Sequence, residues 1–132
     1  MTATTSTRPL KPAVPFHLLD LEDGWDQVPG GAPGVQQKML SGALDEDEKT
    51  GVRTRLIRFQ AGTVAPMVFL HDYWEEVYLL QGTLITGCDE NGEGGERFTG
   101  PCYACRPPGT PHGPFHSPDG CIFFEIQYYA RD

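Results

Sequence analysis

A histidine and a glutamate four residues apart, His71 and Glu75, are residues whose types and spacing could bind a metal ion. An imidazole nitrogen and a carboxylate oxygen both bind divalent cations, and a loop leading into a strand can bring two such side chains together. Residues 77–80 are typical of a strand, and Gln81 and Gly82 after them predict a turn. The sequence therefore indicates a metal site at the start of this strand.

Two adjacent glutamates, Glu75 and Glu76, compete for the role of carboxylate ligand. In a strand that begins near residue 75, Glu75 shares a face with residues 77 and 79, whereas Glu76 shares the other face with residues 78 and 80. Both faces carry apolar side chains. Strand alternation thus separates the two glutamates without deciding which of them points inward.

Length and charge exclude several classes of protein. A chain of 132 residues fits one domain with a real core. Only 10 Lys and Arg oppose 18 Asp and Glu, for a net charge of −8, which argues against a nucleic-acid partner. No apolar run approaches the length of a membrane span, and the first residues lack a signal sequence. We expect no membrane association, a cytoplasmic location, and reduced thiols at the four cysteines, Cys88, Cys102, Cys105 and Cys121.

The distribution of turn residues predicts an all-β fold. Sixteen Gly and 12 Pro are spread between short apolar stretches, which favours many strands joined by turns, in a single antiparallel β-barrel or sandwich. Residues 1–14 lack periodicity and are interpreted as a short mobile N-terminal arm, and residues 15–132 as the single domain. The acidic stretch 45–51 lacks the ligand spacing of a calcium loop and is interpreted as a solvated turn.

Two segments together carry a family resemblance. Residues 62–82 contain His71, Glu75 and Gly82, and residues 100–116 contain the pattern Pro-x-Gly-x-x-His. In spacing they resemble the first and second motifs of the cupin superfamily, a small β-barrel or jelly roll in which imidazoles and a carboxylate project inward to a metal. The resemblance implies His71, Glu75 and His112 as metal ligands, and its spacing selects Glu75 over Glu76.

The first motif departs from the family at one position. Cupins usually supply two histidines one residue apart, and Phe69 stands where the first would be. Two imidazoles and one carboxylate still suit Fe²⁺, with Zn²⁺, Mn²⁺ or Ni²⁺ as alternatives, and a site with fewer ligands can also bind metal weakly or have lost it. His116 is the candidate replacement for the missing imidazole, against a position in a loop or at the rim.

A zinc finger is a competing interpretation of the second motif, because Cys102, Cys105, His112 and His116 form Cys-x2-Cys followed by His-x3-His. The spacer between Cys105 and His112 is short, and the Gly-Pro pair at 113–114 prevents the helix that carries the histidines of a finger. Cysteines on opposite faces of a strand are therefore preferred.

Other residues are candidates for the walls of a pocket. Phe69, Tyr73 and Trp74 flank the proposed ligands, and core packing is an equal alternative for each of them. Arg53 or Arg55 would bind an anionic substrate group if it faces inward with Ile57 and Phe59, and an exposed cationic edge is the alternative.

The second motif is similar to a narrower cupin branch, the zinc-binding cupin half of ChrR-type anti-sigma factors and the small iron dioxygenases that cleave diketones or aryl ketones. The resemblance implies a metal-dependent enzyme that acts on a small-molecule substrate, with an Fe²⁺-type dioxygenase favoured. A non-catalytic metal- or ligand-binding cupin, used in sensing or storage, and a metal-dependent isomerase or lyase remain as alternatives. By the same resemblance, and because strand edges promote pairing, we expect a homodimer.

Overall fold

The computed structural model describes residues 10–130, which form a curled antiparallel sheet of nine strands. The predicted all-β, antiparallel fold is confirmed. Residues 1–9 of the predicted arm lie outside the described residues. The strands are β1 (Asp26–Gln27), β2 (Val35–Asp45), β3 (Thr50–Phe59), β4 (Thr63–Ala65), β5 (Trp74–Thr86), β6 (Glu96–Thr99), β7 (Cys102–Arg106), β8 (Phe115–Ser117) and β9 (Cys121–Tyr128).

Strand β5 is the hub of the sheet because it belongs to both halves. Residues 74–82 pair with β9 and in part with β7, and residues 83–86 pair with β6 and in part with β8. The remaining order runs β1-β2-β3-β9 on one side and β8-β4 on the other. The side chains that both halves turn inward make one apolar core, which includes Ile57, Val77, Leu84, Phe115 and Phe123.

The turn predicted at residues 81–82 is wrong, because β5 continues through it. The pairing with β9 shifts register between Leu79 and Gln81, and Gly82 then pairs with Cys121. Gly82 has a φ of 86°, and a Cβ there would lie 2.2 Å from the carbonyl oxygen of Gly120. Glycine thus permits a bulge and a close approach of two backbones where its presence had suggested a chain reversal.

The segment between β1 and β2 packs on the core through Val28 and Ala32. Among residues 10–130, no helix is long and apolar enough to cross a membrane.

The four cysteines are free, and Cys102 packs against the core while Cys105 is exposed on the other face of β7.

Candidate metal centre

Glu75 is the second residue of β5 and points into the core. Its side chain is 3% exposed and lies on the same face as Val77 and Leu79, which are also buried. Glu76 points to the opposite face, where its carboxylate accepts hydrogen bonds from the hydroxyls of Tyr103 and Tyr128. The structure thus resolves the ambiguity that strand alternation left.

His71 lies in the loop before β5, and a backbone hydrogen bond from the second motif holds it in position. The backbone oxygen of His71 accepts a hydrogen bond from the amide of Gly109 at 2.8 Å. Its imidazole stacks on the buried ring of Tyr73, with centroids 4.5 Å apart. The Pro-x-Gly turn of motif two is therefore attached to the histidine of motif one.

His112 is placed by Phe69. The two residues form an isolated antiparallel bridge, with N–O distances of 2.7 and 3.0 Å, and their rings stack with centroids 5.7 Å apart. Nδ1 of His112 lies 3.1 Å from the carbonyl oxygen of Thr110. Because a carbonyl only accepts, this contact places the imidazole proton on Nδ1 and leaves the lone pair on Nε2.

The three side chains converge on the carboxylate of Glu75. Nε2 of His71 lies 3.7 Å from Oε2, and Nε2 of His112 lies 3.8 Å from Oε1. One ligand atom from each residue lies within 4.8 Å of the others. Two ligands on metal bonds of about 2.1 Å are roughly 3.0 to 3.4 Å apart, so small side-chain movements bring the group to metal-binding distances.

The protonation states of the histidines also fit a metal. Burial lowers the pKa of both imidazoles, although the nearby Glu75 carboxylate opposes that shift. Neutral imidazole is the ligand form of histidine. The donor set of two neutral nitrogens and one carboxylate therefore suits a divalent transition metal.

Two residues that the sequence did not mark as part of the site, Arg106 and Gln127, fix the carboxylate, and Arg53 supports one of them. Arg106 Nη1 donates to Glu75 Oε1 at 2.8 Å, and Gln127 Nε2 donates to Oε2 at 3.0 Å. The Gln127 amide oxygen in turn accepts from Arg53 at 2.9 Å. Each carboxylate oxygen has two acceptor positions, so these bonds orient Glu75 and leave lone pairs for a cation.

A cavity of about 110 Å³ lies beside the three side chains. Its walls are mostly apolar, and Phe69, Phe115 and Phe123 contribute the rings. Arg55 also faces the cavity, which corresponds to the inward alternative for that residue. Residues 28–32, in the loop between β1 and β2, also line the cavity.

Glu125 is a second buried acid in the wall of this cavity. It is 5% exposed, and its Oε1 accepts a hydrogen bond from Arg55 Nε at 2.8 Å. Arg55 also donates to Gln37 at 2.7 Å. Burial, followed by the negative charge of Glu75, raises the pKa of Glu125 to about 7, against the opposing effect of Arg55.

Two aromatic candidates do not line the cavity. Tyr73 is buried behind His71, against which it stacks. Trp74 stacks on Tyr128, with centroids 6.2 Å apart, on the face that carries Glu76. Of the three aromatic pocket residues, the structure brings only Phe69 to the cavity.

The remaining histidines lie elsewhere. His116 follows the inward-facing Phe115 in β8, and its Nδ1 lies 2.9 Å from the carbonyl oxygen of Gly92. It is not in the group that includes His71, so the structure does not place it as a replacement ligand. His17 is exposed. Cys102 and Cys105 face opposite sides of β7, which does not suit a zinc finger.

Comparison with models of known protein families shows which family the chain belongs to. The model of the ChrR cupin-like domain matches residues 17–129. The chain belongs to the ChrR cupin-like family. The resemblance seen in the two motifs is thereby confirmed. A search of curated protein sequences finds no significant match to this cupin.

Solved structures share the fold at low sequence identity. An acetylacetone dioxygenase from Acinetobacter johnsonii is 17% identical, with all of this chain and 86% of that chain covered, at a TM-score of 0.64. An RmlC-like cupin from Shewanella frigidimarina is also 17% identical, with 90% and 95% covered, at 0.62. The polyketide cyclase RemF from Streptomyces resistomycificus is 16% identical, with 89% and 82% covered, at 0.63. At these identities the likeness shows the fold alone.

Proposed function

We propose that this cupin is a metal-dependent enzyme, specifically an Fe²⁺-type dioxygenase that cleaves a small diketone- or aryl-ketone-like substrate. The observation that carries the proposal is the convergence of His71, Glu75 and His112 beside a mostly apolar cavity. The structural similarity to an acetylacetone dioxygenase supports the choice of reaction.

The size of the cavity favours small substrates. Cavities of about 150 Å³ hold benzene, which has six heavy atoms, so the smaller volume of about 110 Å³ suits a ligand of at most roughly six heavy atoms. A short diketone has this size. An aryl ketone is larger than this volume, so within the proposed class we favour the diketone.

The charge of the site favours an anionic ligand. Glu75 is neutralised by Arg106, and Glu125 is neutralised by Arg55, each at 2.8 Å. A divalent cation added to these balanced pairs leaves a net positive charge in a poorly solvated cavity. An anion with two oxygens, such as the enolate form of a diketone, would balance that charge.

The residues have distinct roles in this proposal. His71, Glu75 and His112 would hold the metal, which when bound supplies Lewis acidity and, as iron, the chemistry of dioxygen. Arg106 and Gln127 keep Glu75 in place. Next to them on the same face of the sheet, Arg55 and Glu125 offer the polar contacts of the cavity wall, and Glu125 can exchange a proton with a ligand near pH 7.

Metal content and oxygen uptake together test the proposal. Protein purified without added metal is expected to contain close to one transition metal ion per chain, and to consume oxygen with a short diketone. His112→Ala should lose both properties, whereas the matched control His116→Ala should keep them, because His116 lies outside the group of ligands. Metal content that is negligible in the wild type, or unchanged in His112→Ala, contradicts the proposal.

A second candidate is a metal- or ligand-binding cupin without oxygenase activity. Two observations favour it: Phe69 replaces a usual ligand, and the Arg106 guanidinium opposes a cation at Glu75. Retained metal without oxygen uptake would support this function or a metal-dependent isomerase or lyase. Product analysis by mass spectrometry after incubation with diketones distinguishes turnover from binding.

A further inference from the structure

Two polar side chains in the cavity wall each keep one atom without a partner. Arg55 donates from Nε to Glu125 and from Nη1 to Gln37, whereas its Nη2 bonds no residue in the described part of the chain. Glu125, which is 5% exposed, accepts through Oε1, and its Oε2 has no partner among the same residues. No fully buried side-chain nitrogen or oxygen in residues 10–130 lacks a hydrogen bond, so these two atoms face open space. Both residues line the cavity, so the two atoms are available to a ligand there.

The Arg55–Glu125 pair lies beside the metal group on the inner face of the sheet. Arg55 pairs in register with Glu125, and Glu125 pairs with Val77 of β5. Val77 is two residues beyond Glu75, which is roughly 7 Å along a strand. A ligand that fills the cavity therefore reaches from the pair to the metal group.

The two free atoms require opposite groups on a ligand. Nη2 of an arginine only donates a hydrogen bond, and an oxygen of an ionised carboxylate only accepts one. A carbonyl oxygen next to a hydroxyl group satisfies both atoms. A ligand with acceptors alone places one of them against the oxygen of Glu125, and both oxygens then stay unpaired in a poorly solvated cavity. The pair can thus discriminate between ligands of equal size.

We propose that the Arg55–Glu125 pair selects a ligand in which a hydroxyl group stands next to a carbonyl oxygen, that is, a small hydroxyketone or the enol form of a diketone. The carbonyl oxygen accepts from Nη2 of Arg55, and the hydroxyl donates to Oε2 of Glu125. This selection deepens the proposed function, on which it rests for the choice of the cavity as the ligand site.

The charge of the pair favours a neutral group at this end of the ligand. Glu125 is already balanced by Arg55 in an ion pair of 2.8 Å. A ligand carboxylate would bring a further negative charge against Glu125, and the apolar walls offer little to screen it. The positive charge of a bound metal would act at Glu75, one register row away. A hydroxyl group adds no charge and is therefore preferred over a carboxylate.

Two isomeric ketones of the size that the cavity allows test this selection. Acetoin has a hydroxyl next to its carbonyl group, whereas methoxyacetone has an ether oxygen, which only accepts. Their binding is measured at pH 8, where Glu125 is ionised because its pKa is about 7, from the NMR shifts of the methyl groups of Val77 and Leu84 in the cavity wall. We expect the wild type to bind acetoin with a Kd at least tenfold lower, because only acetoin pairs with both atoms.

Glu125→Gln should remove the selection. Because Arg55 only donates, it holds the amide oxygen of the glutamine, so the amide nitrogen takes the place of Oε2 and donates to the ligand. Acetoin and methoxyacetone both offer acceptors to this nitrogen, and their Kd values should agree within about threefold. The control Glu76→Gln changes an acid that two tyrosines bind on the other face of the sheet, and it should keep the wild-type preference.

This selection and the proposed oxygenase activity can fail separately, because oxygen takes no part in the binding measurement. Selective binding of acetoin without oxygen uptake supports the selection and contradicts the dioxygenase, and oxygen uptake without selective binding does the reverse. Equal binding of the two isomers by the wild type, binding of neither, or a preference that survives in Glu125→Gln would each overturn the role of the pair. The comparison of the isomers on the wild type holds whether or not the variant folds.

Discussion

At the level of single residues, Phe69 and Glu75 decide what the site can bind. Phe69 places an apolar ring beside His112 where many cupins have a ligand, and its backbone bridge to His112 keeps the second motif in position. Glu75 supplies the charge, but Arg106 balances it at 2.8 Å. The resulting site has three donors and little excess negative charge.

Restoring the absent imidazole should strengthen metal binding. Phe69→His leaves the backbone bridge in place. It adds a fourth possible metal ligand to the wall of the cavity, which His71 and His112 also line. We expect the Kd for Zn²⁺ or Fe²⁺ to fall at least tenfold, measured by competition with a chelating dye. Phe69→Leu keeps an apolar side chain and should match the wild type. An unchanged Kd in Phe69→His would show that position 69 does not reach the metal.

The buried acid Glu125 should make the stability of the metal-free protein depend on pH. Its pKa is raised to about 7 by burial and by Glu75, from an ordinary value of 4.5. Between these values the folded protein binds more protons than the unfolded chain, so Glu125 reduces stability as pH rises through that window.

Replacing Glu125 with glutamine removes this effect. The free energy of unfolding is measured by urea titration with a chelator present. Relative to that of the wild type, the value for Glu125→Gln should increase as the pH rises from 5 to 8. Glu76→Gln alters an outward-facing acid and serves as the control. A difference between Glu125→Gln and wild type that is constant across this range would contradict a raised pKa.

The proposed ligands could be found from sequence, whereas the residues that support them could not. His71, Glu75 and His112 belong to motifs with fixed spacing, and the structure brings them together. Arg106, Glu125 and Gln127 are polar residues in strands, which are usually exposed. A signal was present in β9, where Glu125 and Gln127 share a face with Phe123, but the partners that neutralise these groups come from distant strands.

At the level of elements, β5 positions the site because it is continuous. Its first half carries Glu75 against β7 and β9, and its second half joins the other side of the sheet. The sequence predicted the alternating pattern of this strand but not its length, since Gln81 and Gly82 resemble a turn. Only the tertiary contact of Gly82 with residues 120–121 distinguishes a bulge from a turn.

Two glycines with the same backbone conformation test the importance of that contact. Gly82 and Gly62 have φ values of 86° and 84°, but an added Cβ meets Gly120 at 2.2 Å in one case and no atom within 4 Å in the other. Gly62→Ala should cost about 1 kcal/mol, from the left-handed conformation alone. Gly82→Ala adds a backbone clash and should cost about 3 kcal/mol or more. Equal urea midpoints for the two variants would contradict this account.

At the level of the whole molecule, the metal site joins parts of the chain that are distant in sequence. Its residues come from the loop before β5, from β5 itself and from the segment between β7 and β8. Such a set of donors is assembled only in the folded protein, so metal binding is coupled to global unfolding.

Thermal unfolding should report this coupling. At a free metal concentration 100 times the Kd, binding to the folded state adds about 2.7 kcal/mol, which corresponds to an increase in Tm of roughly 10 °C for a domain of this size. His71→Ala and His112→Ala should lose the increase. His116→Ala and His17→Ala should keep it, because neither side chain belongs to the group of ligands. If all four variants respond to metal like the wild type, the stabilising ion binds elsewhere, and the three converging side chains are not a metal centre.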